Sequence, residues 1–210
     1  FSIAGKQLGR QDDRDMFPEA LRLIRQSGPR AVLLENVPGF ASAKFSSYRA
    51  ILLHELRLMG YETSSAIVQA ADFGVPQLRP RFILVALRKE YFGYFQWPEA
   101  GINRKTVGKC LQDLMSANKW RGASRWGQKA DRVAPTIVGG SKKHGGPDLG
   151  PTRAKSQWRT LGVDPMGIAD AAAGPDFDPN GSPRLTVRMV ARLQSFPDEW
   201  QFTVRKTAAY

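Results

Sequence analysis

Ala31-Val32-Leu33-Leu34 is a short apolar run that stops abruptly at Glu35-Asn36-Val37-Pro38-Gly39. So short a run, closed by polar residues and then Pro-Gly, predicts a buried strand emptying into a loop. Upstream, Phe17, Ala20, Leu21 and Ile24 recur at helical spacing. Pro18 suits a first helical turn there, and Gly28-Pro29 ends it. Downstream, Tyr48, Ile51, Leu52, Leu56 and Met59 mark a second amphipathic helix, closed by Gly60. Ala66-Ile67-Val68-Gln69-Ala70 and Phe82-Ile83-Leu84-Val85-Ala86-Leu87 read as two further strands. Helix–strand–helix–strand order predicts an α/β sheet with helices on its faces.

Beyond Lys89 the pattern changes. Aromatics cluster at Tyr91, Phe92, Tyr94, Phe95 and Trp97, and one short helix follows at Val107, Cys110, Leu111 and Leu114. The chain is then rich in Gly, Pro, Ser and basic residues as far as Pro183, with a last helical pattern in Arg184–Trp200. Residues 1–95 are therefore expected to form part of an α/β domain. Residues 96–210 are expected to form a small, loop-rich, mostly β module that ends in the segment 184–200.

Composition narrows the function. The 210 residues are 42% hydrophobic and 10% aromatic, which excludes a disordered chain. Cys110 is the single cysteine, so a disulfide scaffold is excluded too. No run approaches the roughly 18 apolar residues of a membrane span, which gives the expectation of an intracellular protein without a membrane partner. The net charge is +12 and unevenly spread: residues 101–160 hold 13 basic side chains against Asp113, Asp131 and Asp148. A basic field over one such stretch points to a polyanion, nucleic acid first. A solvated basic surface kept for solubility is the alternative.

Three places could carry chemistry. Glu35 and Asn36 follow a buried strand, and reactive groups of open α/β sheets gather at the carboxyl ends of strands. A carboxyl beside apolar residues suits a proton donor or a partner for a base, and equally a loop-fixing carboxylate. In Gln77-Leu78-Arg79-Pro80-Arg81, alternation sends Gln77, Arg79 and Arg81 to one side. Two guanidinium forks there suit a phosphate or a base carbonyl oxygen, or are surface arginines flanking a strand. Cys110 shares a helical stripe with Val107, Leu111 and Leu114 and reads as a core residue rather than a nucleophile. His54 and His144 have no metal-ligand spacing, so no metal is expected.

Together these residues resemble the cytosine-5 DNA methyltransferase family. Phe1-Ser2-Ile3-Ala4-Gly5-Lys6-Gln7 looks like the continuation of the family's Pro-Cys-Gln loop, just after the cysteine. Glu35-Asn36-Val37 matches its Glu-Asn-Val motif. Gln77-Leu78-Arg79-Pro80-Arg81, preceded by Phe73-Gly74-Val75-Pro76, matches its Gln-x-Arg-x-Arg motif. Arg184-Leu185-Thr186 through Ala191-Arg192-Leu193-Gln194-Ser195-Phe196-Pro197-Asp198 resembles the segment that follows the family's target recognition region. Each is weak alone; four in order across the chain are strong.

The resemblance implies part of a Rossmann-like sheet of an S-adenosylmethionine-dependent methyltransferase, plus a small, mostly β target recognition domain. It implies methyl transfer from S-adenosylmethionine to carbon 5 of a cytosine flipped out of double-stranded DNA. By the same resemblance Glu35, Arg79 and Arg81 are catalytic, and Met16, Phe17 and Asn36 lie beside the cofactor. Ser2 and Lys6 would grip flanking phosphates. Gln77, Arg121, Arg125, Gln128, Lys129, Thr136, Lys142, Lys143, Arg153 and Lys155 are the remaining candidates for the DNA face. The cofactor's Phe-x-Gly-x-Gly motif, the nucleophilic cysteine and the final Gly-Asn motif have no counterpart in these residues, so the chain alone is expected to be inactive. It reads as a piece of a bacterial, cytoplasmic restriction-modification enzyme. The alternatives are a DNA-recognition subunit partnered with the rest of a split methyltransferase, and a relative acting on transfer RNA.

Overall fold

The computed structural model describes residues 15–101, 104–138 and 148–203. The chain divides into two compact units, residues 1–69 with 80–99, and residues 70–79 with 100–210.

In the first unit, α1 (Phe17–Ser27) begins with Pro18 in its first turn and ends at Gly28, whose φ of +55° is left-handed. The Gly28 amide donates to the Ile24 carbonyl at 2.9 Å, closing the last turn in the manner glycine favours. Strand β1 (Ala31–Asn36) follows, then two 3₁₀ turns and α2 (Ser46–Leu58). Strand β2 (Tyr61–Gln69), strand β3 (Pro80–Arg88) and the single turn α3 (Lys89–Phe92) complete the unit. The sheet order is β1-β3-β2, and both neighbours run antiparallel to β3. β1 and β2 consequently share a direction, joined through α2, with β3 inserted between them.

Alternation divides the sheet faces. Val32, Leu34, Tyr61, Phe82, Leu84 and Ala86 pack with Phe17, Ile24, Leu52 and Leu56 into a core under α1 and α2. Leu33 and Glu35 lie on the opposite face, with Val85 and Ile83 as their cross-strand partners.

The α/β expectation meets a sheet in which β3 runs antiparallel to both of its neighbours; the described residues do not by themselves form a parallel Rossmann-like sheet. β2 also starts earlier than the apolar run 66–70 and stops before Ala70. Thr63-Ser64-Ser65 extends the strand by ladder pairing to Ala86, Val85 and Leu84, not by hydrophobicity.

The second unit corrects the expectation of a mostly β module. Its described residues form α4 (Val107–Ser116), α5 (Ala123–Lys129), α6 (Thr152–Thr160) and α7 (Val187–Leu193). β pairing among them is limited to two isolated bridges, Gln77 with Ala134 and Ala169 with Thr186. The core is built around Trp120, Trp126 and Trp158, with Leu111, Met115, Leu185, Met189 and Leu193. α5 and α6 each bury one large tryptophan, so neither shows the repeating apolar stripe by which a helix is read.

Two features tie these helices together. A Cβ on Gly108 of α4 would stand 2.1 Å from the Gly127 carbonyl oxygen, so α4 and α5 meet backbone to backbone. Arg192 of α7 donates to Asp113 at 2.6 Å, to the Cys110 carbonyl at 3.2 Å and to Asp198 at 2.9 Å. Those bonds hold the Asp113 and Asp198 carboxyls below the ordinary aspartate range. Cys110 is half-buried, and burial pushes its thiol up, as befits a packing residue.

Candidate functional site

Glu35 sits on the last turn of the pleat in β1, opposite Ile83. Arg81 lies two residues from Ile83 on the same face of β3, a diagonal that a long side chain can span. Its Nε pairs with Glu35 Oε1; the carboxylate is about half exposed, while the arginine is largely covered. The Arg81 guanidinium also donates to the Pro80 carbonyl at 2.9 Å, which fixes the fork. The result is a half-exposed carboxylate oriented by a held cation on the face opposite α1 and α2. Asn36 spends its side-chain oxygen on the Val37 amide at 2.8 Å, shaping the exit from the strand. Arg49 donates to the Phe40 carbonyl and, at 2.7 Å, to the Ser42 carbonyl, holding the turn that follows.

Gln77 and Arg79 both reach Ile137, while Arg81 pairs with Glu35. Gln77 is 1% exposed, its Oε1 accepting from the Ile137 amide at 3.0 Å and its Nε2 facing the Leu193 carbonyl at 3.5 Å. In this structure its amide serves as a core strut of the second unit. Arg79 donates to the Ile137 carbonyl at 3.4 Å in that same unit. Arg81 belongs to the first unit, where it serves Glu35. Thr136 donates its hydroxyl to the Leu78 carbonyl, locking the loop 133–138 onto the segment that carries Gln77 and Arg79.

Of the cofactor candidates, Met16 is exposed, Phe17 is buried and stacked on Phe40 at 4.9 Å between centroids, and Asn36 holds the Val37 amide.

The basic candidates fall into three groups. Ser2, Lys6, Lys142 and Lys143 lie outside the described residues. Arg121, Arg125, Gln128, Lys129 and Arg153 are exposed, and Arg125 donates to the Pro179 carbonyl at 2.6 Å. Lys155 departs from expectation: its ammonium is 2.5 Å from the buried Asp148, whose other oxygen accepts from the Gly150 amide at 3.0 Å. The Lys155 ammonium is thus committed to a buried carboxylate of its own unit.

Sequence reasoning passed over the clasp made by Arg192, because Asp113 lies 79 residues away along the chain. A groove of about 880 Å³ runs past Arg188, Phe196 and Trp200, with none of the three motif residues Glu35, Arg79 or Arg81 in its wall. Among the described residues no helix is long and apolar enough to cross a membrane, and no cluster of His, Cys, Asp and Glu could hold a metal.

Comparison with known proteins adds ancestry to this geometry. A family model described as C-5 cytosine-specific DNA methylase matches residues 1–210. The type II methyltransferase M.NaeI of Lentzea aerocolonigenes is 54% identical over 211 residues, covering the whole chain and 51% of that protein. The type II methyltransferase M.NgoMIV of Neisseria gonorrhoeae is 46% identical over 213 residues, covering the whole chain and 67% of that protein. The chain thus spans about half the length of the first relative and two thirds of the second. Among solved structures, a DNMT2 mutant of Spodoptera frugiperda overlays the whole chain and 70% of its own with a TM-score of 0.56 at 15% identity, a likeness of fold.

Proposed function

The chain belongs to the C-5 cytosine-specific DNA methylase family, and on that premise we propose that it supplies the base-holding and DNA-recognition parts of a type II DNA cytosine-5 methyltransferase. The reaction moves a methyl group from S-adenosylmethionine to carbon 5 of a cytosine swung out of the duplex. The observation that carries this reading is the Glu35–Arg81 pair, at the carboxyl end of β1 in the Glu-Asn-Val motif.

The chemistry explains why a carboxylate is wanted there. Carbon 5 of cytosine is a poor nucleophile until a thiolate adds to carbon 6. Charge then builds on the ring, and a fixed group at ring nitrogen 3 and the exocyclic amine stabilises it. Glu35 takes that role, with Arg81 as its positioning partner. Because Arg81 stays bound to a carbonyl and a carboxylate at once, the carboxylate needs little reorganisation when the base arrives. Cys110 is not the attacking thiol of this scheme, since burial keeps it protonated on α4. S-adenosylmethionine is the methyl donor the family implies. Met16, Phe17 and Asn36 are the residues the family likeness puts beside it, and no step is assigned to them.

The test is Glu35→Gln in the full-length protein, with labelled methyl donor and duplex DNA. Turnover should fall by about two to three decades while the DNA dissociation constant is kept. An unchanged turnover number would refute the role of Glu35.

A further inference from the structure

Along α6 the outward residues are Thr152, Arg153, Ser156, Gln157, Arg159 and Thr160. Arg153, Gln157 and Thr160 follow one another at i, i+4 and i+7, so they form a single stripe. The helix contains no carboxylate. Its inner side is fixed twice: Trp158 is fully buried, and Lys155 is tied to Asp148. The Arg153 guanidinium and the Gln157 amide have no hydrogen-bond or ion-pair partner among the described residues. Other arginines of the unit are committed to their own fold: Arg125 to a carbonyl, Arg104 to Asp72, Arg184 to Asp164.

We propose that α6 is the base-reading helix of this chain, with Arg153 and Gln157 as specificity-determining residues and Lys155 as the positioning residue beneath them. This rests on the reading of the chain as a DNA methyltransferase part and names where the duplex is read. The occupant is double-stranded DNA, argued from charge: α6 lies in the 101–160 stretch with 13 basic and 3 acidic side chains, and Asp148, one of those three, is already neutralised by Lys155. A major groove about 12 Å wide admits a helix. Guanidinium forks bond both acceptors of guanine there, and glutamine amides bond the acceptor and donor of adenine. The Thr160 hydroxyl is spent on the Gln157 carbonyl at 2.7 Å, which leaves the fork and the amide as the groups of this stripe that can each pair with two atoms of one base edge.

The experiment binds the full-length protein to a pool of duplexes randomised over one helical turn and sequences the bound fraction. Gln157→Ala and Arg153→Lys are compared with the original protein and with Lys89→Ala, all at exposed positions, with thermal unfolding as the check on folding. Each α6 variant should lower the preference at one or two adjacent base pairs by about tenfold. Affinity for the unselected pool should change little with either. Lys89→Ala should leave every preference intact. Unchanged preferences in both α6 variants would overturn this inference alone, because the duplex is still bound. If the original protein has no affinity for the pool, this inference and the methyltransferase reading fail together.

Discussion

Lys155 and Gln157 stand two positions apart on α6 and face opposite ways. In sequence Lys155 looks like a phosphate ligand, because it lies in a basic stretch and its partner is seven residues upstream. Only the fold brings Asp148 within 2.5 Å of it. Replacing Lys155 by Met would leave a buried carboxylate without its counter-charge, a loss of about 3 kcal/mol read by denaturant unfolding. Asp148→Asn in the same protein should return much of that loss. Glu35 and Arg81 were legible as chemistry because their motif is local, and the ladder needed only to bring them together. Gln77 was not, since alternation fixes which side a residue takes but not whether that side is water or core.

At the level of elements, α1, α2, α4 and the strands announced themselves through repeated apolar spacing. α5 and α6 did not, because a single tryptophan per helix does the burying. The α4–α5 contact was equally hidden, since a glycine in a helix reads as a weak position. Gly108→Ala separates the two effects. Helix propensity alone favours alanine by about 1 kcal/mol. Overpacking against the Gly127 carbonyl costs about 1–3 kcal/mol and should win. A lowered denaturation midpoint is the expected result; a raised one would mean the helices part without cost.

For the whole molecule, the order of elements revealed an α/β unit but not the direction of its strands, for hydrophobic periodicity has no sense along the chain. The charge asymmetry was plain from composition alone, yet its use needed sorting. Neutralising Lys142 and Lys143 together should flatten the log-affinity against log-salt slope for DNA by about 1.8 units, two phosphate contacts' worth. Lys155→Met should leave that slope unchanged, and a salt titration of both variants decides. Arg192 has one more consequence. Its guanidinium ties Asp113 and Asp198 to α7 and holds both carboxyls below the ordinary aspartate range. What those bonds add to stability is present above the unfolded aspartate pKa and fades as pH falls through the lowered values, so the seam of α4 and α7 is sensitive to acid.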